Sequence, residues 1–125
     1  MQRGDKNISG NVDIAERTVA YSIRVIKLYR QIAKDNVGRV IGKQILRSAT
    51  SIGANVHEAQ GAQSKADFIA KMSIAHKEAY ETSYWLRIMK EAELVKSEQL
   101  APLADETNQI VKILSSILIT SKNNK

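Results

Sequence analysis

Apolar residues recur along this chain at alternating steps of three and four. Ile14, Thr18, Tyr21, Val25, Leu28 and Ile32 share one narrow face when successive residues turn by about 100°. The pattern predicts a first helix near 12–35, with Asn11 or Asp13 as its N-cap and Asn36-Val37-Gly38 as its stop. Ile41, Ile45, Ala49, Ile52, Val56 and Ala59 repeat the pattern and predict a second helix near 39–60, ended by Gly61. Its interior holds Gly42, Ser48, Thr50, Ser51, Gly53 and Asn55, which are mediocre or poor helix formers. Close packing through small residues, rather than propensity, is expected to hold it. Ser64-Lys65-Ala66-Asp67 resembles a capping box opening a third helix near 65–93, whose stripe runs from Phe68 through Met72, Ala75, Ala79, Thr82 and Leu86 to Met89. A fourth helix near 99–121 carries Leu100, Ala104, Thr107, Val111, Leu114 and Leu118 on one face, with Pro102 expected in its first turn. No run of period two competes. Four long helices joined by short loops predict an all-α fold, an antiparallel up-down-up-down four-helix bundle, with residues 1–125 as one domain.

An isolated bundle needs one apolar stripe per helix. Here Val19, Ile23 and Ile26 lie about 120–180° from the core stripe of the first helix, by the same rotation per residue. Ile74, Trp85 and Ile88 lie opposite Phe68 and Met72 on the third. Leu103, Ile110, Ile113 and Ile117 widen the stripe of the fourth. Second apolar faces on three helices predict a homo-oligomer. Scattered surface hydrophobes are the alternative.

Composition narrows the chemistry. The chain has 125 residues, enough for one core without staples. With no cysteine, disulfide scaffolds, thiolate zinc sites and cysteine nucleophiles are excluded. Six glycines and one proline argue against low complexity and many-turned β-sandwiches. No apolar run approaches the roughly 20 residues that span a bilayer, so no membrane partner is expected and a cytoplasmic location is. The formal charge is +6 at pH 7 and its excess lies in residues 1–60, with ten basic and five acidic side chains. That charge suits a polyanion partner, RNA or DNA, without requiring one.

Two polar constellations follow. Gln44, Arg47, Ser51, Asn55 and Glu58 share a side of the second helix, while Glu78 and Glu81 flank the Ile74–Trp85 line of the third. Arg47, Ser51, Asn55, Glu58, Glu78, Glu81 and Trp85 therefore form a candidate polar cleft or interface. It reads as an ion-pair network between helices or subunits, as a cleft for an anion or a base, or as a catalytic carboxylate pair. Nothing marks one glutamate as an acid and the other as a nucleophile, so no catalytic residue is assigned. His57 and His76 lack the Glu-x-x-His spacing of di-iron bundles, and no Gly-rich phosphate loop is present. No metal, cofactor or enzyme activity is expected. The second constellation is a basic stripe on the first helix, Arg17, Arg24, Lys27 and Lys34, a candidate nucleic-acid contact or simply a solvated face. Tyr21 and Phe68 take core positions, and the pattern leaves Tyr29, Tyr80, Tyr84 and Trp85 unplaced. Recognition of backbone or shape is therefore expected rather than base reading.

The segment QILRSATSIGANVHEA (Gln44 to Ala59), followed by KADFIAKMSIAHKEAYETSYWL (Lys65 to Leu86), resembles the bacterial four-helix bundle protein family. That family is also called the 23S rRNA-intervening-sequence protein family, because some members are encoded within insertions in large-subunit ribosomal RNA genes. The likeness extends over nearly the whole chain, including Ile26 to Tyr29, and is most specific at Arg-Ser-x-Thr-Ser-Ile-Gly-Ala-Asn (Arg47 to Asn55). His57 departs from the family, which commonly has a small or apolar residue there. The resemblance implies an antiparallel subunit in a closed ring, a homopentamer, with no established enzyme activity. It also implies that Arg47, Ser48, Thr50, Ser51, Gly53, Asn55, Glu58, Glu78, Glu81 and Trp85 are characteristic positions. Accessory proteins of diversity-generating retroelements, distantly similar, bind nucleic acid and a reverse transcriptase, which supports a nucleic-acid role by analogy.

Overall fold

The computed structural model describes residues 5–124, with side chains described from residue 14 onward. Among the described residues there are four helices and no strand: α1 (Asp5–Ile32), α2 (Asn36–Gln60), α3 (Lys65–Glu91) and α4 (Ser97–Asn123). Each packs on two neighbours, in the order α1, α2, α3, α4 and back to α1. Residue numbers rise along one helix as they fall along the next. Gly53 lies against Thr18 and Gly42 against Tyr29. Arg47 meets Glu81 while Glu58 meets Lys71, and Arg17 meets Glu106 while Gln31 meets Gln99.

The turns explain where the helices break. Asp35 caps α2, its carboxylate accepting from the Gly38 N–H at 2.7 Å, and Ser64 caps α3 by accepting from the Asp67 N–H at 3.0 Å. After α3 the chain turns through Glu93 at φ 57°, and the Leu94 and Glu93 N–H groups return to the Met89 and Lys90 carbonyls. That is a Schellman closure built on a non-glycine residue.

Several boundaries differ from those the sequence pattern predicts. Asn11 and Asp13 lie inside α1 rather than at its cap; their side chains fall outside the described ones. Helix α1 ends at Ile32, and Asn36-Val37-Gly38 is the first turn of α2, not a stop. Asp35 captures the cap, and Gly38 serves close approach: a Cβ there would lie 1.8 Å from the Ile32 carbonyl oxygen. Helix α4 starts at Ser97, so Pro102 sits past the first turn, at an exposed position, and its missing N–H leaves the Glu98 carbonyl without that helical bond.

Among the described side chains the core is mainly apolar, from Ile14 and Tyr21 on α1 to Ile45, Ile52 and Val56 on α2, Met72 and Met89 on α3, and Ile110 and Leu114 on α4. One face is rotated from expectation. Leu103 and Ile110 are buried, whereas Ala104 and Val111 are only half-buried. Turning the larger side chains inward removes more apolar area from water, so these two belong to the core and not to an excess face. The buried hydroxyls are satisfied. Thr18 donates to the Ala15 carbonyl, Thr107 to that of Leu103, and Thr82 lies 2.9 Å from Ser48 Oγ. Tyr21 and Thr107 share a hydrogen bond across α1 and α4, and burial pushes the Tyr21 hydroxyl up to about 12. The small residues of α2 do what its poor propensity requires. A Cβ at Gly42 would meet the Tyr29 ring at 2.7 Å, and one at Gly53 would meet Thr18 at 3.2 Å.

Candidate functional site

Arg47 projects from the middle of α2 toward two glutamates one turn apart on α3. Its Nη2 donates to Glu81 Oε2 at 2.7 Å and lies 3.3 Å from Glu78 Oε1, with Nη1 3.5 Å from Glu78 Oε2. Glu78 is only 8% exposed, while the Arg47 side chain is half in water. One turn further along α3, the Trp85 indole N–H donates to Glu81 Oε2 at 3.0 Å. Glu81 therefore accepts from two helices at one oxygen. The Trp85 N–H first, and Arg47 second, hold its carboxyl below the usual carboxylate range. Hydrogen bonds to Glu81 and then Glu78 raise Arg47 further. A general acid at neutral pH needs a carboxyl shifted the other way.

This pairing sets a pH dependence. Because the folded Glu81 carboxyl titrates lower than in the unfolded chain, its stabilisation is present above the unfolded pKa and is lost as pH falls through the folded one. Exposure limits the pair to at most about 1 kcal/mol. Trp85→Phe is expected to move the Glu81 midpoint upward while leaving the fold intact, as read by side-chain carboxyl NMR titration. An unmoved midpoint would remove the indole from this account.

The rest of the candidate set separates. Asn55 donates to the Ser51 carbonyl at 2.8 Å and lies 3.1 Å from Ser51 Oγ, closing on its own helix. Glu58 pairs with Lys71 Nζ at 3.0 Å, one end of the α2–α3 seam, and not with Arg47. Lys71 is the residue that sequence reasoning missed. It shares the α2-facing side of α3 with Glu78, a position identifiable only once the register of the two helices is known.

The basic stripe divides as well. Arg17 grips Glu106 with Nε at 3.0 Å and Nη2 at 2.7 Å and also reaches Gln109 at 2.8 Å, so it ties α1 to α4. Arg24, Lys27 and Lys34 are exposed and make no ion pair with any described residue. Arg24 and Lys27 line, with Leu28, Gln31, Gln99 and Leu103, a groove of about 240 Å³ between α1 and α4. Arg30, Arg39 and Lys43 are exposed around the same end of the molecule. Among the described residues no three His, Asp or Glu side chains cluster as a metal would need, and no helix is long and apolar enough to cross a membrane. His57 Nδ1 contacts the Gly53 carbonyl, and His76 Nε2 lies 2.7 Å from Ser115 Oγ.

Four helices, a small-residue seam between α1 and α2 and an Arg-Glu-Glu-Trp seam between α2 and α3 define the class. The chain belongs to the 23S rRNA-intervening sequence protein family, whose model matches residues 10–116. It is also similar to a crystallised protein of unknown function from the S23 ribosomal protein family of Bacteroides thetaiotaomicron VPI-5482. The two are 40% identical with a TM-score of 0.85, over 89% of this chain and 99% of that one. No curated protein matches the chain.

Proposed function

We propose that this protein is a non-enzymatic oligomeric scaffold that contacts RNA or DNA in the cytoplasm through its basic α1 edge. The observation that carries this reading is the division of the cations: Arg17 and Arg47 are engaged by carboxylates, while Arg24, Lys27 and Lys34 stand exposed without such partners. The subunit is an antiparallel up-down-up-down bundle in this reading, supported by the opposed numbering of neighbouring helices. Exposed Val19, Ile23 and Ile26 on α1, and Ile74 with half-buried Trp85 and Ile88 on α3, support assembly, because α1 and α3 lie across the bundle from one another. Two different faces on opposite sides make a head-to-tail contact, which closes into a ring when the rotation permits. A homopentamer is the ring that the family resemblance implies, and it repeats the basic edge around its circumference. That repetition strengthens a weak field per chain.

The Arg47 cluster serves as a structural seam in this account. An anion-binding cleft there has to displace Glu78 and Glu81 from the guanidinium, and a small anion regains little from that exchange. A protein-interaction scaffold without nucleic acid rests on the same apolar faces and predicts no effect of charge reversal on α1.

Arg24→Glu with Lys27→Glu tests the reading. Binding to ribosomal RNA is expected to weaken steeply with salt, and the double variant is expected to lose at least about tenfold in affinity and to flatten the salt slope by about two. Undetectable wild-type binding at low salt would remove the nucleic-acid role.

A further inference from the structure

A second face, on the opposite side of α4, carries features that the α1 edge lacks. Tyr80 and Tyr84 are 58% and 55% exposed, at i and i+4 on α3, so their rings sit one helical turn apart. Both rings are held. Tyr84 packs edge-on to Trp85 at 4.9 Å, and Tyr80 packs edge-on to His76 at 5.0 Å. His76 is in turn held by Ser115 of α4. Beside Tyr80 lies a groove of about 520 Å³ between α3 and α4, with Val111 and Ile119 as apolar walls and Asn108, Lys112 and Ser116 as polar ones. Lys112 lines it and Lys122 acts on His76 beside it; both are exposed and make no ion pair with any described residue. The acids that face this side are engaged or distant: Glu81 by Arg47 and Trp85, Glu91 by Arg87, and Asp105 by Gln109 toward the far end.

An open groove with mixed polar and apolar walls, a pair of packed aromatic rings and unpaired lysines meet the needs of an unstacked nucleotide strand: a surface for each base and a cation for each phosphate. We infer that the α3–α4 face binds single-stranded nucleic acid, with one base seated in the groove against Tyr80, the next stacked on Tyr84 where this face borders the Ile74–Ile88 assembly face, and Lys112 at a phosphate. The Tyr80 ring is pre-positioned by the Ser115–His76–Tyr80 chain, which lowers its ordering cost on binding. Stacking tolerates any base, and the hydroxyls and amide of the groove reach base edges or a ribose. The inference extends the nucleic-acid reading above to a second surface, and it stands on different residues.

Anisotropy titrations with labelled oligo(U) and oligo(dT) of about 20 nucleotides, against a duplex of equal length, separate the two surfaces. The full chain is expected to bind both single strands at about 50 mM salt. Tyr80→Ala with Tyr84→Ala is expected to lose about tenfold or more for single strands and nothing for duplex, at unchanged native mass. Tyr80→Phe, which keeps the ring, is expected to bind like the unsubstituted protein, and Lys112→Gln is expected to weaken single strands with no loss of fold. Single-strand affinity unchanged in the tyrosine double variant overturns the inference, as does loss of native mass, which makes this face a subunit contact. Binding of duplex alone overturns it while leaving the α1 reading standing. Failure to bind either form removes both.

Discussion

Gly38→Ala is expected to destabilise the protein by about 3 kcal/mol or more and to lower its melting temperature by roughly 10 °C. The cause is backbone against backbone. A methyl group at residue 38 lies 1.8 Å from the Ile32 carbonyl oxygen and 2.9 Å from its carbon, well inside any real contact. Neither neighbour is a side chain that can rotate away. The Asp35 cap, which depends on the same turn, has to move with them. Gly61→Ala is the control. Its Cβ meets nothing nearer than the Glu58 carbonyl oxygen at 3.8 Å, and its φ of −98° suits any residue. A thermal melt in which the two variants behave alike would contradict the close approach of α1 and α2 at this turn.

Ile23→Asp is expected to convert the proposed assembly to monomers with helix content preserved. Ile23 is 47% exposed and lies on the side of α1 away from the core, so the subunit loses no interior packing. It borders a shallow groove with Val19, Gly53, Ala54 and His57, which in the proposed assembly takes side chains of the neighbouring copy. A buried isoleucine contributes about 1.5–3 kcal/mol, and burying a carboxylate in its place costs more, at every contact of the proposed ring. Native mass spectrometry reads the outcome directly. A wild-type protein that is monomeric at micromolar concentration, or a variant of unchanged mass, would contradict the assignment of this face to assembly.

The three-and-four spacing made all four helices legible, because each stripe is long and unbroken by proline or glycine pairs. The ends were less legible. Asn36-Val37-Gly38 has the composition of a helix stop, and only the position of Ile32 beneath it reveals that the glycine is there for clearance. On α4 two adjacent stripes, one through Ala104 and Val111 and one through Leu103 and Ile110, satisfy the same period. Periodicity cannot choose between them; the volume of the side chains does, once three other helices enclose the space. The meeting of Arg47 with Glu78 and Glu81 was readable from spacing on neighbouring helices. The Lys71–Glu58 and Arg17–Glu106 pairs were not, since each depends on the register between helices, which no single stripe encodes. Tyr80 and Tyr84 lie on the side of α3 away from its core stripe, so the same period places both in water.

These pairings turn a diffuse excess of positive charge into a located one. Of the four basic positions on the α1 stripe, Arg17 is spent on Glu106, which leaves Arg24, Lys27 and Lys34 to act on a partner. The most direct measurement is the salt dependence of ribosomal RNA binding by the full chain, run beside the Arg24→Glu/Lys27→Glu variant. A steep linear fall of log affinity with log salt is expected for the unsubstituted protein, and a shallower line at lower affinity for the variant. Two superimposable lines, or no binding at low salt, would contradict it.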